Sequence, residues 1–439
     1  MNSRITVIGL GKLGTPLAIC LAARGCQTIG VDLDLQKLDA LNQGFPAGVE
    51  PGLDVRLAQA GSRLRATSDL AAAIAESDLS LIVLPTPSGP AGDYALTGVL
   101  GVCGQIGAAL RDKTAYHLVV LISTVMPGST DGPVKEMLES SSGKRCGLDF
   151  GLCYNPAFIA LGNFVHDFLN PDFVLIGESD ARAGQQLEAL YQRICESRPA
   201  VARMNFTNAE LAKLAVNSFL TLRISFANLL ARLCERLPGA DVDQVTGAMG
   251  LDSRIGPKYL RGAIGYGGPC FPRDNRALSF LAAQLGVPAL LAESADRSNR
   301  AEIAYLLQLI EARRLPHEQV GILGLAYKPN TDVSEESQGL LLAQALAAQG
   351  VDVIAYDPAA MVTARQALPG SVRLAASARA CLEQAGLLVV LTPWPEFRRL
   401  DFSGLGCRLL IDCWRWLDPG QLAGQMEYLP LGVAYEPVD

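Results

Sequence analysis

The sequence predicts an α/β chain in which two doubly wound domains with parallel strands are joined by a central helical domain. Three observations carry that expectation. Short β-branched runs alternate with Ala/Leu-rich helical patterns through the first ~200 residues, a long helical pattern follows, and after roughly residue 315 the first texture returns.

Taken in order, "ITVIG", "QTIGVD", "LSLIVLPTP" and "HLVVLISTV" read as buried parallel strands with helices between them. The "SSGKRCG" stretch at 141–147 reads as a surface loop. A different texture begins near Asn205, where Thr207 and Glu210 form a capping-box signature. Apolar residues then recur at Leu211, Leu214, Ala215, Phe219, Leu222, Phe226, Leu229 and Leu233. About thirty helical residues span ~45 Å, so this helix is expected to bridge two lobes and bury its stripe against another subunit. Further on, "VDVIAYDP" and "GLLVVLTPW" mirror "QTIGVDLD" and "LSLIVLPTP". The expected domains are 1–203, 204–300 and 301–439.

Composition narrows the function classes. The 439 residues carry a net charge of −7 with no basic block, which argues against a nucleic-acid partner. Eleven cysteines are scattered without a C-x-x-C pair, which suits a reducing cytoplasm and argues against a disulfide framework or zinc site. His117, His166 and His317 lie far apart, so no metal centre is expected. No signal peptide and no uncharged apolar run of ~18 residues stands out. A soluble, cytoplasmic protein without membrane contact is expected.

"VIGLGKLG" places Gly9, Gly11 and Gly14 as G-x-G-x-x-G between a strand and a helix. Glycines there let the backbone turn tightly and approach a pyrophosphate, and the helix N-terminus offers free N–H groups. Asp32 closes the second strand, where a carboxylate grips ribose hydroxyls and repels a 2′-phosphate. The first lobe therefore reads as Rossmann-like, with NAD preferred over NADP. A second glycine turn, "GILGLAYKPNTD", lacks a third glycine at the right spacing and has Lys328 where a helix should begin. A cation there suits the phosphate of a nucleotide-linked substrate; a solvated loop lysine is the plainer alternative.

"GYGGPCFPRD" sets Cys270 just before a helix, with Pro272 and Asp274 in its first turn. A helix N-terminus favours a thiolate, and the preceding glycines free the backbone for close approach to a ligand. On the long helix, Lys213 and Asn217 lie four apart on one face, with Asn228 three turns further along it. Both Lys213 and Asn217 can donate to an oxygen that gains negative charge. NAD, an activated cysteine and such donors suit a four-electron route: alcohol to aldehyde, thiolate addition, a second hydride loss and hydrolysis of a thioester.

With "AELAKLAVNSFLTLRISFANLLARLCE" through "GYGGPCFPRD", and with "EPGL", "TP" at 86–87, "ISTVMPG" and "GLAYKPNTD", the chain resembles the UDP-glucose/GDP-mannose dehydrogenase family nearly end to end. The resemblance implies oxidation of the C6 hydroxymethyl of a nucleotide sugar with two NAD⁺, and two Rossmann-like lobes around a helical domain built on a long dimerising helix. It implies an assembly of at least two copies. It implies that Cys270 is the nucleophile, that Lys213 and Asn217 stabilise the oxyanion, that Asp274 helps activate water, and that Thr124 lies beside that water or the lysine. Lys12, Leu13, Thr86, Pro87 and Thr124 would join Gly9, Gly11, Gly14 and Asp32 around NAD. Arg254, reaching across a subunit boundary, would meet the sugar, as would Tyr259, Leu260, Gly267, Lys328 and Arg415.

Three departures stand out. Where the family reads N-P-E-F-L-x-E-G, this chain has "NPAFIALG", so Ala157 and Leu161 replace both glutamates. Glu335 stands where the family often has an arginine, and Arg415 in "IDCWRWLD" is one position beyond the family's D-x-R. Since the first glutamate is implicated in hydrolysis, slowed or altered thioester hydrolysis is expected. The alternatives are a two-electron dehydrogenase of the 6-phosphogluconate or β-hydroxyacid type, which needs no cysteine, and a non-catalytic NAD- or nucleotide-sugar-binding scaffold.

Overall fold

A computed structural model describes residues 3–45 and 50–434. The chain divides into two compact units, Met1–Ala215 and Val216–Asp439.

The first unit is built on strands β1 Arg4–Ile8, β2 Gln27–Val31, β3 Leu64–Thr67, β4 Leu79–Ile82, β5 Leu118–Leu121, β6 Gly151–Tyr154, β7 Phe173–Glu178 and β8 Ala200–Met204. They lie in the order β3-β2-β1-β4-β5-β6-β7-β8. Every residue of β4, β5 and β6 is buried, because helices cover both faces of a parallel sheet and leave no place for alternating polar residues. One pairing departs from the expected parallel arrangement: β7 runs antiparallel to β6. The link between them holds the six-residue helix Phe164–Leu169, whose Phe164, Phe168 and Leu169 are buried in the core of this sheet.

His117 belongs to this core. It is fully buried, with Nε2 3.1 Å from Ser80 Oγ and Nδ1 3.2 Å from Ser77 O. Burial, with the Lys113 charge beside it, pushes its pKa down to about 3. It is a neutral structural residue.

The second unit repeats the layout with β9 Val320–Leu323, β10 Val353–Tyr356, β11 Arg373–Leu374, β12 Leu387–Val390, β13 Leu409–Asp412 and β14 Glu427–Pro430, in the order β11-β10-β9-β12-β13-β14. The third glycine that the sequence pattern lacks is present in space. A Cβ at Gly339 would fall on the Gly324 carbonyl, just as one at Gly14 would fall on the Gly9 carbonyl. Gly9 and Gly14 are five positions apart, Gly324 and Gly339 fifteen. No helix begins at Lys328; an inserted loop precedes the helix Gln338–Ala348. Asp357 at the end of β10 takes the place of Asp32. It is fully buried and accepts from Leu325 N, Ala326 N and Trp394 Nε1, so its carboxylate serves the fold.

The helix Phe206–Cys234 is 29 residues long. Its start is capped by Asn205, whose Oδ1 accepts from Asn208 N at 2.9 Å. Glu210 does not close a capping box with Thr207: both its oxygens reach away, to Gly128 N at 2.6 Å and Thr130 N at 2.8 Å. The helix buries a polar stripe, including Glu210, Lys213, Asn217, Thr221, Ser225, Asn228 and Glu235 just past its end. Much of its apolar stripe lies open: Leu211, Phe219, Phe226, Leu229 and Leu233 are all exposed, Phe219 at 60%. Among the described residues it is the one helix long and apolar enough to cross a membrane; its buried face carries Glu210 and Lys213.

Candidate active site

In the first unit the expected NAD residues gather at the carboxyl ends of β1, β2, β4 and β5, around the switch point between β1 and β4 where open α/β sheets bind ligands. Gly9 turns with φ +93°, a conformation that a side chain disfavours, and its Cβ would strike the Val83 carbonyl. Nothing stands within 4 Å of a Cβ built at Gly11, so the backbone over Gly11, Lys12 and Leu13 is open to a pyrophosphate. Asp32 is half-buried, and its oxygens accept from Leu10 N at 2.7 Å and Asp34 N at 3.0 Å, which aims the carboxylate at the mouth of the turn. The Thr86 hydroxyl donates to Thr124 O at 2.7 Å, and Ser123 Oγ accepts from Leu84 N at 3.0 Å, tying the β4 and β5 ends together; Pro87 is exposed beside them. This cradle fits NAD.

Lys213 also lies in this unit, 6% exposed. Its ammonium donates to Ala157 O at 2.8 Å and sits 4.5 Å from the centre of the Phe158 ring. A desolvated ammonium needs such partners, since burial alone costs several kcal/mol and a ring face returns about 1–2. The loop it touches is held from outside. Glu50, in the "EPGL" stretch, accepts from Gly162 N at 2.8 Å and Phe164 N at 3.1 Å. Glu50, Ser123 and Phe158 were given no individual role by the sequence, although each lies within a stretch that resembles the family, and Glu210 was read as half of a capping box.

In the second unit Cys270 is the residue before the helix Phe271–Gln284, with Pro272 in its first turn. Of the eleven cysteines, Cys270 is exposed, Cys146 is half-buried and the other nine are buried. Burial pushes the Cys20, Cys103 and Cys381 thiols up to about 12, which leaves roughly one in 10⁵ ionised at neutral pH. Asp274, 1% exposed, accepts from Asn217 Nδ2 at 2.6 Å. The helix dipole and this amide hold a carboxylate one turn from the thiol.

The glycines before Cys270 answer to packing. A Cβ at Gly267 would strike the Glu336 carbonyl, and one at Gly268 (φ +82°) would enter the Tyr327 ring. Gly268 N–H donates to Glu335 O at 2.9 Å, and Arg276 pairs with Glu336 at 3.2 Å. Glu335 thus contributes its backbone here. Tyr259 (φ +62°) lies edge-on to Phe271 at 6.1 Å, and Leu260 is buried. Lys328 lies 5.8 Å from the Tyr327 ring, in the inserted loop. Arg254 projects on the surface, paired with Asp252 at 2.7 Å. Arg415 is half-buried and held by its neighbours. Its guanidinium donates to both oxygens of Asp243 at 2.8 and 2.9 Å, to Gly262 O and to Leu431 O, so it serves the fold. Trp414 occupies the position of the family arginine. Among the described residues no three His, Cys, Asp or Glu side chains gather as a metal site.

Three family models match the chain: the NAD binding domain of the UDP-glucose/GDP-mannose dehydrogenase family over residues 3–195, its central domain over 207–301 and its UDP binding domain over 321–419. The UDP-glucose 6-dehydrogenase AglM of Haloferax volcanii is 37% identical over 414 residues, covering 93% of this chain and 96% of that one. A GDP-mannose 6-dehydrogenase of Pseudomonas putida is 38% identical over 358 residues, 81% of this chain and 80% of that one. A solved UDP-glucose dehydrogenase from Pyrobaculum islandicum superposes with a TM-score of 0.89 at 34% identity, covering 99% of this chain and 98% of that one. With the glycine turn, Asp32 and the Cys270 helix in place, these likenesses establish that the chain belongs to the UDP-glucose/GDP-mannose dehydrogenase family of NAD-dependent nucleotide-sugar dehydrogenases.

Proposed function

We propose that this enzyme oxidises the C6 hydroxymethyl group of a nucleotide sugar to a carboxylate through an acyl-enzyme on Cys270. The observation that supports it most is the exposed Cys270 at a helix N-terminus with the buried Asn217–Asp274 pair one turn away. NAD⁺, when bound, accepts one hydride in each of the two oxidations. Gly9, Gly11 and Gly14 admit its pyrophosphate and Asp32 its ribose. The Cys270 thiolate adds to the aldehyde carbon, forming a C–S bond, while Lys213 and Asn217 donate to the oxygen that gains charge. After the second oxidation, water adds to the thioester carbon, the C–S bond breaks and the thiolate is released with the acid. Asp274 receives the proton of that water. Ala157 and Leu161 can accept none, so this last step is the slow one.

We assign the substrate contacts to Arg254, Tyr259, Leu260, Gly267 and Lys328, and keep the three-part division at about residues 203 and 300. The open apolar stripe of the long helix is covered by a second copy of the chain, in the cytoplasm. A solution mass of a single chain at micromolar concentration, measured by sedimentation equilibrium, would overturn that assembly.

The function is tested with a panel of UDP- and GDP-linked hexoses and N-acetylhexosamines, following NADH absorbance to completion. Two NADH per sugar consumed is expected for the preferred substrate. One NADH per sugar on every member of the panel contradicts the four-electron route and favours a two-electron dehydrogenase; none at all favours a binding scaffold.

A further inference from the structure

Among the described residues the segment Arg261–Pro269 that delivers Cys270 is paired in no sheet, yet Ala263, Ile264 and Tyr266 are at most 5% exposed. Buried peptide groups need hydrogen-bond partners, and here side-chain amides supply them. Asn228 Oδ1 accepts from Ala263 N at 2.9 Å while its Nδ2 donates to Ile264 O at 2.8 Å. Asn299 Oδ1 accepts from Tyr266 N at 2.6 Å while its Nδ2 donates to Tyr266 O at 3.0 Å. Gln338 Nε2 adds a second donor to Tyr266 O at 3.1 Å. A carboxamide carries one acceptor and two donors in the plane of a peptide group, so each asparagine serves as a rung that a β-strand would otherwise provide. The contact is close: a Cβ at Gly265 would fall on Asn299 Oδ1. Asn228 is 1% exposed and lies on the same long helix as Asn217, the partner of Asp274.

We propose that Asn228 and Asn299 are positioning residues for the Cys270 thiol. Neither is placed against substrate or cofactor. They fix the peptide path four to seven residues before the nucleophile, and so its distance from the Asn217–Asp274 pair. The proposal rests on the reading of Cys270 as nucleophile. A supporting shell of this kind acts through geometry, and a misplacement of about 1 Å costs roughly 10²-fold in rate.

Asn299→Leu removes both bonds at similar volume, and Asn299→Asp keeps the acceptor for Tyr266 N–H. The whole enzyme is assayed with its best nucleotide sugar, and Cys270 is alkylated with iodoacetamide and quantified by peptide mass mapping. For Asn299→Leu the expected result is a fall in kcat of about 10²-fold with KM values within about twofold. A change of about fivefold or more in the Cys270 alkylation rate accompanies it, and Asn299→Asp recovers about tenfold of the lost kcat. Folded Asn299→Leu with unchanged kcat, or with a loss matched by its unfolded fraction and an unaltered alkylation rate, overturns the proposal. If Asn299→Leu fails to fold, Gln338→Met is read the same way, with a fall of about threefold to tenfold expected and no change contradicting it. Activity that survives Cys270→Ser sinks the nucleophile reading instead, so the two failures are distinct.

Discussion

Replacing Cys270 by serine is expected to stop acid formation while leaving NAD⁺ binding intact. A serine hydroxyl at this place has the helix N-terminus but lacks the acidity of a thiol, and no histidine lies within forty positions of it in the sequence. Losing an enzyme's nucleophile typically costs 10³-fold or more, roughly up to 10⁶. NADH release followed over hours, with NAD⁺ affinity measured by fluorescence titration, separates lost chemistry from lost binding. The NAD cradle is built from residues of the first unit, and the cofactor's dissociation constant is expected to stay within about twofold. Acid formed within tenfold of the parent rate removes Cys270 from the mechanism.

The second large effect runs in the opposite direction. Ala157→Glu is expected to accelerate the final hydrolysis by about 10²–10⁴-fold, the usual contribution of a general base. The substitution leaves the residue 157 carbonyl in place to receive Lys213, and Glu50 still clamps the loop at Gly162 and Phe164. In the parent the acyl-enzyme then builds up during turnover; in the variant it decays as fast as it forms. Rapid quench with intact-protein mass reads both. An adduct that decays at the same rate in both proteins shows that residue 157 has no part in activating water here.

Much of this was legible in the sequence, and the failures have physical causes. The first glycine turn could be read because all its contacts are local: three glycines within six residues, and Asp32 at the end of the next strand. The third glycine of the second turn was missed because Gly339 meets Gly324 only after an inserted loop, and a pattern of fixed spacing cannot see across it. On the long helix, apolar periodicity marked a stripe that the single chain leaves largely open, while much of the buried face is polar. Hydrophobic period reports which residues share a face, and a helix that carries a site can bury its polar face among partners. Lys213, Asn217 and Asn228 betrayed that face by sitting together in an apolar helix. Asn299 and Gln338 left no such trace, because their partners are backbone groups distant in sequence, and Glu50 showed only as part of the "EPGL" stretch. The Arg415–Asp243 pair left no trace either, because its members are 172 residues apart.

The account turns on a covalent bond to one sulfur. Enzyme mixed with NAD⁺ and its best nucleotide sugar, quenched in acid during turnover and digested, should yield a Cys270 peptide heavier by the acyl nucleotide sugar. The same peptide should return to its unmodified mass once substrate is exhausted. Full oxidation to the acid with Cys270 never carrying the sugar, or with the adduct on another residue, contradicts the account.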